Sequence, residues 1–230
     1  MREIKKLTDR EHILLRPGMY VGSTQPITEK RYIIENDKFI EKEITYVPAL
    51  IKIIEEIIDN SIDAFVDTHF KNNPKIKIQI EEDHFIVEDN GPGIPNKKID
   101  NEWMCKIAWG TAKAGSNFDG DRISVGMNGV GSYLTNVFSK TFIGENKNNG
   151  IKVICKWTNN ADKYFQKESK TNLSGVKVES WPDFNRFNKN GFTENDIKII
   201  ESRVKMLALT YPEIKFYFNR ELIKIKKIEF

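Results

Sequence analysis

Apolar positions recur at helical spacing from Tyr46 to about Phe70, where Leu50, Ile51, Ile54, Ile57, Ile58, Ile62 and Phe65 predict one long amphipathic helix with Pro48 in its first turn. The period then changes. Lys75 to Ile80 (KIKIQI) alternates strictly and His84 to Glu88 resumes after Glu82-Asp83, which predicts a β-hairpin ending at the turn Asp89-Asn90-Gly91-Pro92-Gly93. Upstream, a charged arm (1 to about 25) precedes two short strands within 31–46, joined at Glu35-Asn36-Asp37. Residues 110–131 are too rich in Gly, Ala, Ser, Asn and Asp for regular structure and predict a long functional loop, such as a lid. Val130 to Phe138 predicts a short helix, followed by strands near 140–145, 150–157, 163–167 and 175–181. Thr193 caps a helix to Leu209, in which Ile197, Ile200, Val204 and Leu207 share a face before Pro212 stops it. Strands at 214–218 and 221–226 follow. No internal repeat or Gly/Ser linker interrupts the chain, so the pattern predicts an α+β domain with an antiparallel-rich sheet and helices collected on one face.

Composition changes this picture mainly by exclusion. The 230 residues suffice for a sizeable core, and 36 Lys and Arg against 33 Asp and Glu leave only +3. So even a balance does not attract polyphosphate by itself, and any nucleic-acid role must come from a local patch or another region. Cys105 and Cys155, with His12, His69 and His84, form no metal-ligand spacing, which points away from a structural metal and toward a reducing compartment. The charged N-terminus has no apolar signal segment, and no apolar run reaches membrane-spanning length, so a soluble protein without membrane contact is expected. The lysines of NRELIKIKKIEF read as guards of an edge strand, and Trp103, Trp109, Trp157 and Trp181 as core or interface residues.

Three segments carry chemistry. In EEIIDNSIDA (55–64), Glu56, Asp59, Asn60 and Asp63 fall at i, i+3, i+4 and i+7 and share one helix face. A charged helix face is ordinarily a solvated one, but this face holds three carboxylates and an amide without Lys or Arg, which calls for a cation. Asn60 suits Mg²⁺, which takes few protein oxygens and completes its shell with water and phosphate. Glu56, one turn earlier, is placed to take a proton from water attacking a γ-phosphate. In VEDNGPGIP (87–95), Asp89 ends a strand before a tight turn, and in a pocket it would accept a hydrogen bond from the 6-amino group of adenine, favouring ATP over GTP. SVGMNGVGS (124–132) opens into a helix whose first N–H groups suit phosphate. Neither common glycine motif is complete: Ser132 and Tyr133 stand where a P-loop needs Lys and Ser/Thr, and no segment finishes G-x-G-x-x-G.

Together, in this order and spacing, the three segments resemble the N box and the two glycine boxes of the GHKL ATPases. RPGMYVG (16–22), LTNVFS (134–139) and SGVKVESWPD (174–183) resemble type IIA DNA topoisomerases, including the gyrase B family; Asn128, AGSNFDGD (114–121) and YVPALIKIIEEIIDNSIDA are most similar to T-even-like phage large subunits, then to eukaryotic enzymes. The resemblance spans essentially the whole chain and implies a two-layer α/β sandwich of the Bergerat type, with a dimerisation arm at 1–25 and an ATP-binding domain at 26–230. It implies Glu56 as general base, Asn60 as Mg²⁺ ligand, Asp59 and Asp63 as supports, and Asp89 with Gly91, Gly93 and Ile94 around adenine. Ser116 and Asn117 match lid residues that meet ribose and phosphate, and Gly126, Met127, Asn128, Gly129, Val130, Gly131 and Ser132 match the phosphate cradle. It further implies ATP-dependent homodimerisation that closes a gate on a DNA duplex, a DNA-cleavage subunit or domain as partner, and a cytoplasmic location, that of the host if phage-encoded.

Asn117 and Val176 depart from gyrase, which has lysine and threonine there; Val176 lacks a hydroxyl that would hold Asp89, for which Ser174 is a nearby substitute. The chain stops at Phe230, about where the family's nucleotide domain ends and before the transducer lysine that reaches the γ-phosphate, so nucleotide binding with slow turnover is expected. MutL, the ninety-kilodalton heat-shock chaperone and a nucleotide-sensing dimerisation module without turnover are the alternatives. RPGMYVG and SWPD argue against the first two.

Overall fold

The computed structural model describes residues 6–112 and 130–225. In chain order the elements are α1 (Asp9–Leu15), β1 (Ile27–Glu35), β2 (Lys38–Tyr46), α2 (Pro48–Val66), β3 (Lys75–Ile80), β4 (Phe85–Asp89), β5 (Lys98–Ile99), β6 (Glu102–Trp103), α3 (Met104–Gly110), α4 (Gly131–Val137), β7 (Ser139–Asn148), β8 (Ile151–Thr158), β9 (Lys163–Lys170), β10 (Gly175–Pro182), α5 (Glu194–Thr210), β11 (Lys215–Phe218) and β12 (Glu221–Leu222). Eight strands form one sheet in the order β12-β11-β3-β4-β10-β7-β8-β9. Every pairing in it is antiparallel except β11 with β3, so the sheet is mixed but mostly antiparallel. The helices cover one face, giving the α+β arrangement that the pattern predicts and the two layers that the resemblance implies.

Local chemistry explains the elements. The β1–β2 hairpin turns at Asn36 and Asp37, both at positive φ (49° and 59°), which Asn and Asp tolerate better than other side chains. Pro48 starts α2, where its missing N–H costs nothing, and Leu50, Ile54, Ile58 and Ile62 are fully buried along its inner stripe. This helix ends earlier than its apolar pattern, because His69 and Phe70 turn to positive φ. Phe70 still packs on the core, so the hydrophobic signal outlasts the helix. At α5, Thr193 and Asp196 form a reciprocal capping box.

Two short helices escape the periodicity: α1 and α3 have seven residues each, too few for a repeating stripe. The final strand is also shorter than expected, since only Glu221–Leu222 pair with β11. The N-terminal segment before residue 25 makes contacts of its own with the domain. Ile13 and Val21 are buried in the same core as α2, and Arg10 donates to the carbonyls of Asn159 and Asn160. The segment from α1 onward thus packs on its own chain, because its apolar side chains find the domain core. Trp103, Trp109 and Trp157 are core residues, while Trp181 stacks on His84. Cys105 and Cys155 come within 4.0 Å inside the core as free thiols. Among the described residues, no helix is long and apolar enough to cross a membrane.

Candidate functional site

The centre of the site is α2, which touches both described glycine segments from adjacent residues. Asn60 Nδ2 donates to Ser132 Oγ at 2.8 Å, and Ser61 Oγ donates to Asp89 Oδ2 at 3.2 Å. One helix turn thus bonds the start of α4 on one side and the end of β4 on the other. The inner stripe of α2 fixes its rotation, so the side chains at 56, 60 and 61 cannot swing away without unpacking Ile54, Ile57 and Ile58.

α4 is held against this helix from below. Thr135 Oγ1 donates to the Ile53 carbonyl at 2.8 Å, and Asn136 Nδ2 donates to the Trp109 carbonyl at 2.9 Å. These bonds bring Gly131 so close to Glu56 that a β-carbon at 131 would collide with Glu56 Oε2. A side chain at 131 would have to displace the flexible end of Glu56. The other carboxylate oxygen of Glu56 pairs with Lys52 Nζ at 2.5 Å. Lys52 lies one turn before Glu56, just outside the ten-residue acidic segment, so that face of the helix is not free of cations as the segment alone suggests. Val130 precedes α4 and packs on the core. Ser116, Asn117, Gly126, Met127, Asn128 and Gly129 lie outside the described residues.

Asp89 is 5% exposed, at the end of β4. Its Oδ1 accepts from the N–H of Gly91 (2.8 Å) and of Val176 (3.3 Å). Burial pushes its carboxyl up to about 6, and the three hydrogen bonds pull the other way without cancelling it. The hydroxyl that holds Asp89 comes from Ser61 on α2, whereas Ser174 is exposed, which corrects the substitute expected from sequence. Gly175 makes the approach possible: it sits at φ 120°, and a β-carbon there would run into the Asp89 carbonyl. Beyond the turn, Ile94 is clamped by Asn146, which accepts from its N–H and donates to its carbonyl, both at 2.8 Å. Gly93 passes so close to the Lys147 carbonyl that a side chain would not fit.

Glu56, Asp59 and Asn60, grouped by helical spacing, meet different neighbours. Asp59 turns toward α5 and pairs with Arg203 at 3.2 Å, away from Ser132. Burial raises its carboxyl and Arg203 opposes that shift, so the pair braces α2 against α5. The reason is angular: i+3 and i+4 straddle a helix face by about 100°, enough to separate Asn60 from Asp59. Asp63 follows on the same helix, partly exposed, with its carbonyl accepting from Asp67 N–H.

Sequence reasoning missed Lys52, Ser61, Asn146 and Arg203. Lys52 was detectable at i−4 from Glu56. Asn146 was detectable as an amide at an inward position of an alternating strand, whereas Arg203 needed the tertiary contact between α2 and α5.

A family profile described as "Histidine kinase-, DNA gyrase B-, and HSP90-like ATPase" matches residues 45–153, from the end of β2 into β8. The DNA topoisomerase large subunit of Enterobacteria phage T4 is 38% identical over 229 residues, covering 96% of this chain and 44% of that protein. DNA topoisomerase 2 of Saccharomyces cerevisiae is 32% identical, covering 98% of this chain and 16% of that protein. The chain therefore spans less than half the length of these relatives. Among solved structures, the ATPase region of Saccharomyces cerevisiae topoisomerase II superimposes with a TM-score of 0.90 at 29% identity, covering 97% of this chain and 62% of that one. The ATPase and transducer domains of DNA topoisomerase II from Balamuthia mandrillaris superimpose equally well, with a TM-score of 0.90 at 27% identity and 96% and 60% coverage.

Proposed function

Because the chain belongs to the GHKL ATPase domains of type IIA DNA topoisomerases, we propose that it binds ATP with the triphosphate beside α2 and hydrolyses it. The observation that carries this reading is the pair of adjacent contacts, Asn60 to Ser132 and Ser61 to Asp89, which joins the phosphate-binding segment and the purine-binding segment through one turn of helix. Asp89 reads adenine through the 6-amino group. Gly131 and Ser132, at the start of α4, receive phosphate oxygens. Glu56, against Gly131, accepts the proton of the attacking water, and Lys52 keeps its carboxylate in place.

The donor set fits Mg²⁺. Asn60 spends its N–H₂ on Ser132, which leaves its carbonyl oxygen, a neutral hard ligand, for the cation. Bound there, the ion would neutralise charge on the phosphates. Ribose and γ-phosphate contacts fall to Ser116, Asn117 and the 126–129 segment.

We propose further that ATP pairs two copies and that the pair closes on a DNA duplex in an assembly that includes a DNA-cleaving subunit or domain. α1 packs directly on α4, with Asp9 and Arg10 near Tyr133, so occupation of the phosphate cradle is felt by the N-terminal segment that would join two copies. The test is calorimetry with ATP and a non-hydrolysable analogue, with and without Mg²⁺, coupled to light scattering and a steady-state phosphate-release assay on wild type and Glu56→Gln. Magnesium-dependent binding in both proteins, with turnover only in wild type, is the expected result. Absence of magnesium-dependent binding rejects the nucleotide reading, and equal turnover in Glu56→Gln rejects the base.

A further inference from the structure

The chain is almost neutral, but the fold sorts its charges. Positions of the large sheet that face away from the helices hold nine lysines and three glutamates, with no arginine and no aspartate among the described residues, against a balance of +3 for the whole chain. The segregation follows from strand alternation: in KIKIQI and IKVICKWT the apolar residues point to the core, so the lysines at the intervening positions all emerge on the other side. All three glutamates are already partnered on that face: Glu88 by Lys77 at 3.3 Å, Glu145 by Lys152 at 3.7 Å, and Glu179 by Lys177 at 3.2 Å.

The uncompensated charge concentrates at the β8–β9 end. Lys156, Lys163 and Lys167 are exposed there and surround Phe165, which is 57% exposed and stands opposite Lys156 in the ladder. Lys163 and Lys167 are four residues apart on one strand, about 13 Å, and Lys156 lies one strand, about 4.8 Å, inward. Guarding an edge against aggregation explains lysines on β9 but not Lys156, whose strand is paired on both sides.

We propose that this open face of β7, β8 and β9 docks the phosphate backbone of a DNA duplex. The surface is a paired sheet, its cations are lysines, which act as point charges, and it offers no arginine fork for reading bases, so the contact is independent of sequence. A duplex carries one charge per about 1.7 Å of axis, so every lysine along this stretch of about 13 Å finds a phosphate. The face is opposite the helical layer that holds the nucleotide site, and the inference rests on charge and register, not on the nucleotide reading.

The experiment is fluorescence anisotropy of a labelled duplex of about 30 base pairs titrated with the full chain between about 50 and 200 mM salt. Three proteins are compared: wild type, Lys156→Glu/Lys163→Glu/Lys167→Glu, and a control with the same charge change on the other layer, Lys30→Glu/Lys38→Glu/Lys71→Glu. Wild type is expected to bind two unrelated sequences equally, with affinity in the micromolar to hundred-micromolar range near about 0.15 M salt. The sheet-face variant should lose at least about tenfold, and its plot of log affinity against log salt should flatten by about 2.7, from three phosphates at about 0.9 each. A Lys→Gln version of the same triple should lose affinity in the same direction with unchanged circular dichroism. Equal losses in the control, an unchanged salt slope, or equally tight binding of a polyglutamate chain would each overturn the proposal.

Discussion

Asp89 is a carboxylate that the fold keeps at a cost, and replacing it with asparagine measures that cost. The buried group titrates at about 6 against an ordinary value of 3.8. A raised folded-state value means that the native protein holds the proton more tightly than the unfolded chain between those two limits. Its contribution to stability is therefore unimpaired below about pH 4 and declines as pH rises through about 6. A shift of about two units at about 1.36 kcal/mol each gives about 3 kcal/mol of destabilisation at about pH 8. The asparagine variant would keep an acceptor for Gly91 and Val176 and could donate to Ser61, so the hydrogen bonds survive while the charge disappears.

Urea unfolding of both proteins from about pH 4 to 8 should show them nearly equal at the acid end, with Asp89→Asn more stable by about 3 kcal/mol at the alkaline end. Taking the difference cancels the carboxylates that titrate the other way, such as Glu88, which burial pushes up but two lysine partners hold low. ATP affinity should fall at least about tenfold in the same variant, since a charge-assisted hydrogen bond is worth about 1.5–3 kcal/mol. A stability difference that does not change with pH, or an Asp89→Asn protein less stable than wild type at the alkaline end, refutes the argument that burial of an ionised Asp89 is what the site sustains.

Other substitutions test separate contacts. Gly131→Ala should push the flexible end of Glu56 out of position, lowering turnover by at least about tenfold while calorimetric ATP binding changes far less. Arg203→Met leaves Asp59 buried without its partner and should cost about 1–3 kcal/mol in urea unfolding, given that Arg203 itself is partly exposed; adding Asp59→Asn should recover most of the loss, and strict additivity of the two changes would reject their pairing. Gly175→Ala places a side chain at φ 120° against the Asp89 carbonyl and should destabilise by about 2–4 kcal/mol; a neutral effect would show that the close approach of β4 and β10 is not required.

Much of the architecture was legible because it repeats. The α2 stripe, the KIKIQI alternation, the Asn36-Asp37 turn and the Thr193 cap are each set by neighbours within a few residues, so their signals lie in short windows of sequence. The same holds for the spacing of Glu56 and Asn60 and for the glycine turn after Asp89. Helix α3 and the docking of α1 left no such trace, since each has one turn or two of helix and owes its place to the core.

What tertiary structure alone decided is which polar groups meet. Asp59 and Asn60 are neighbours in sequence, yet α5 takes one and α4 the other. Ser61 stands in for a hydroxyl sought near residue 176, through a contact between residues 28 apart. The even charge count of the chain likewise gave no sign of a basic face, because lysines spread over six strands become one surface only when the sheet assembles. Burial fixes an individual side chain's direction from local pattern, but a hydrogen bond or a charged patch needs two or more segments at a set distance, and only packing of the whole core supplies that distance.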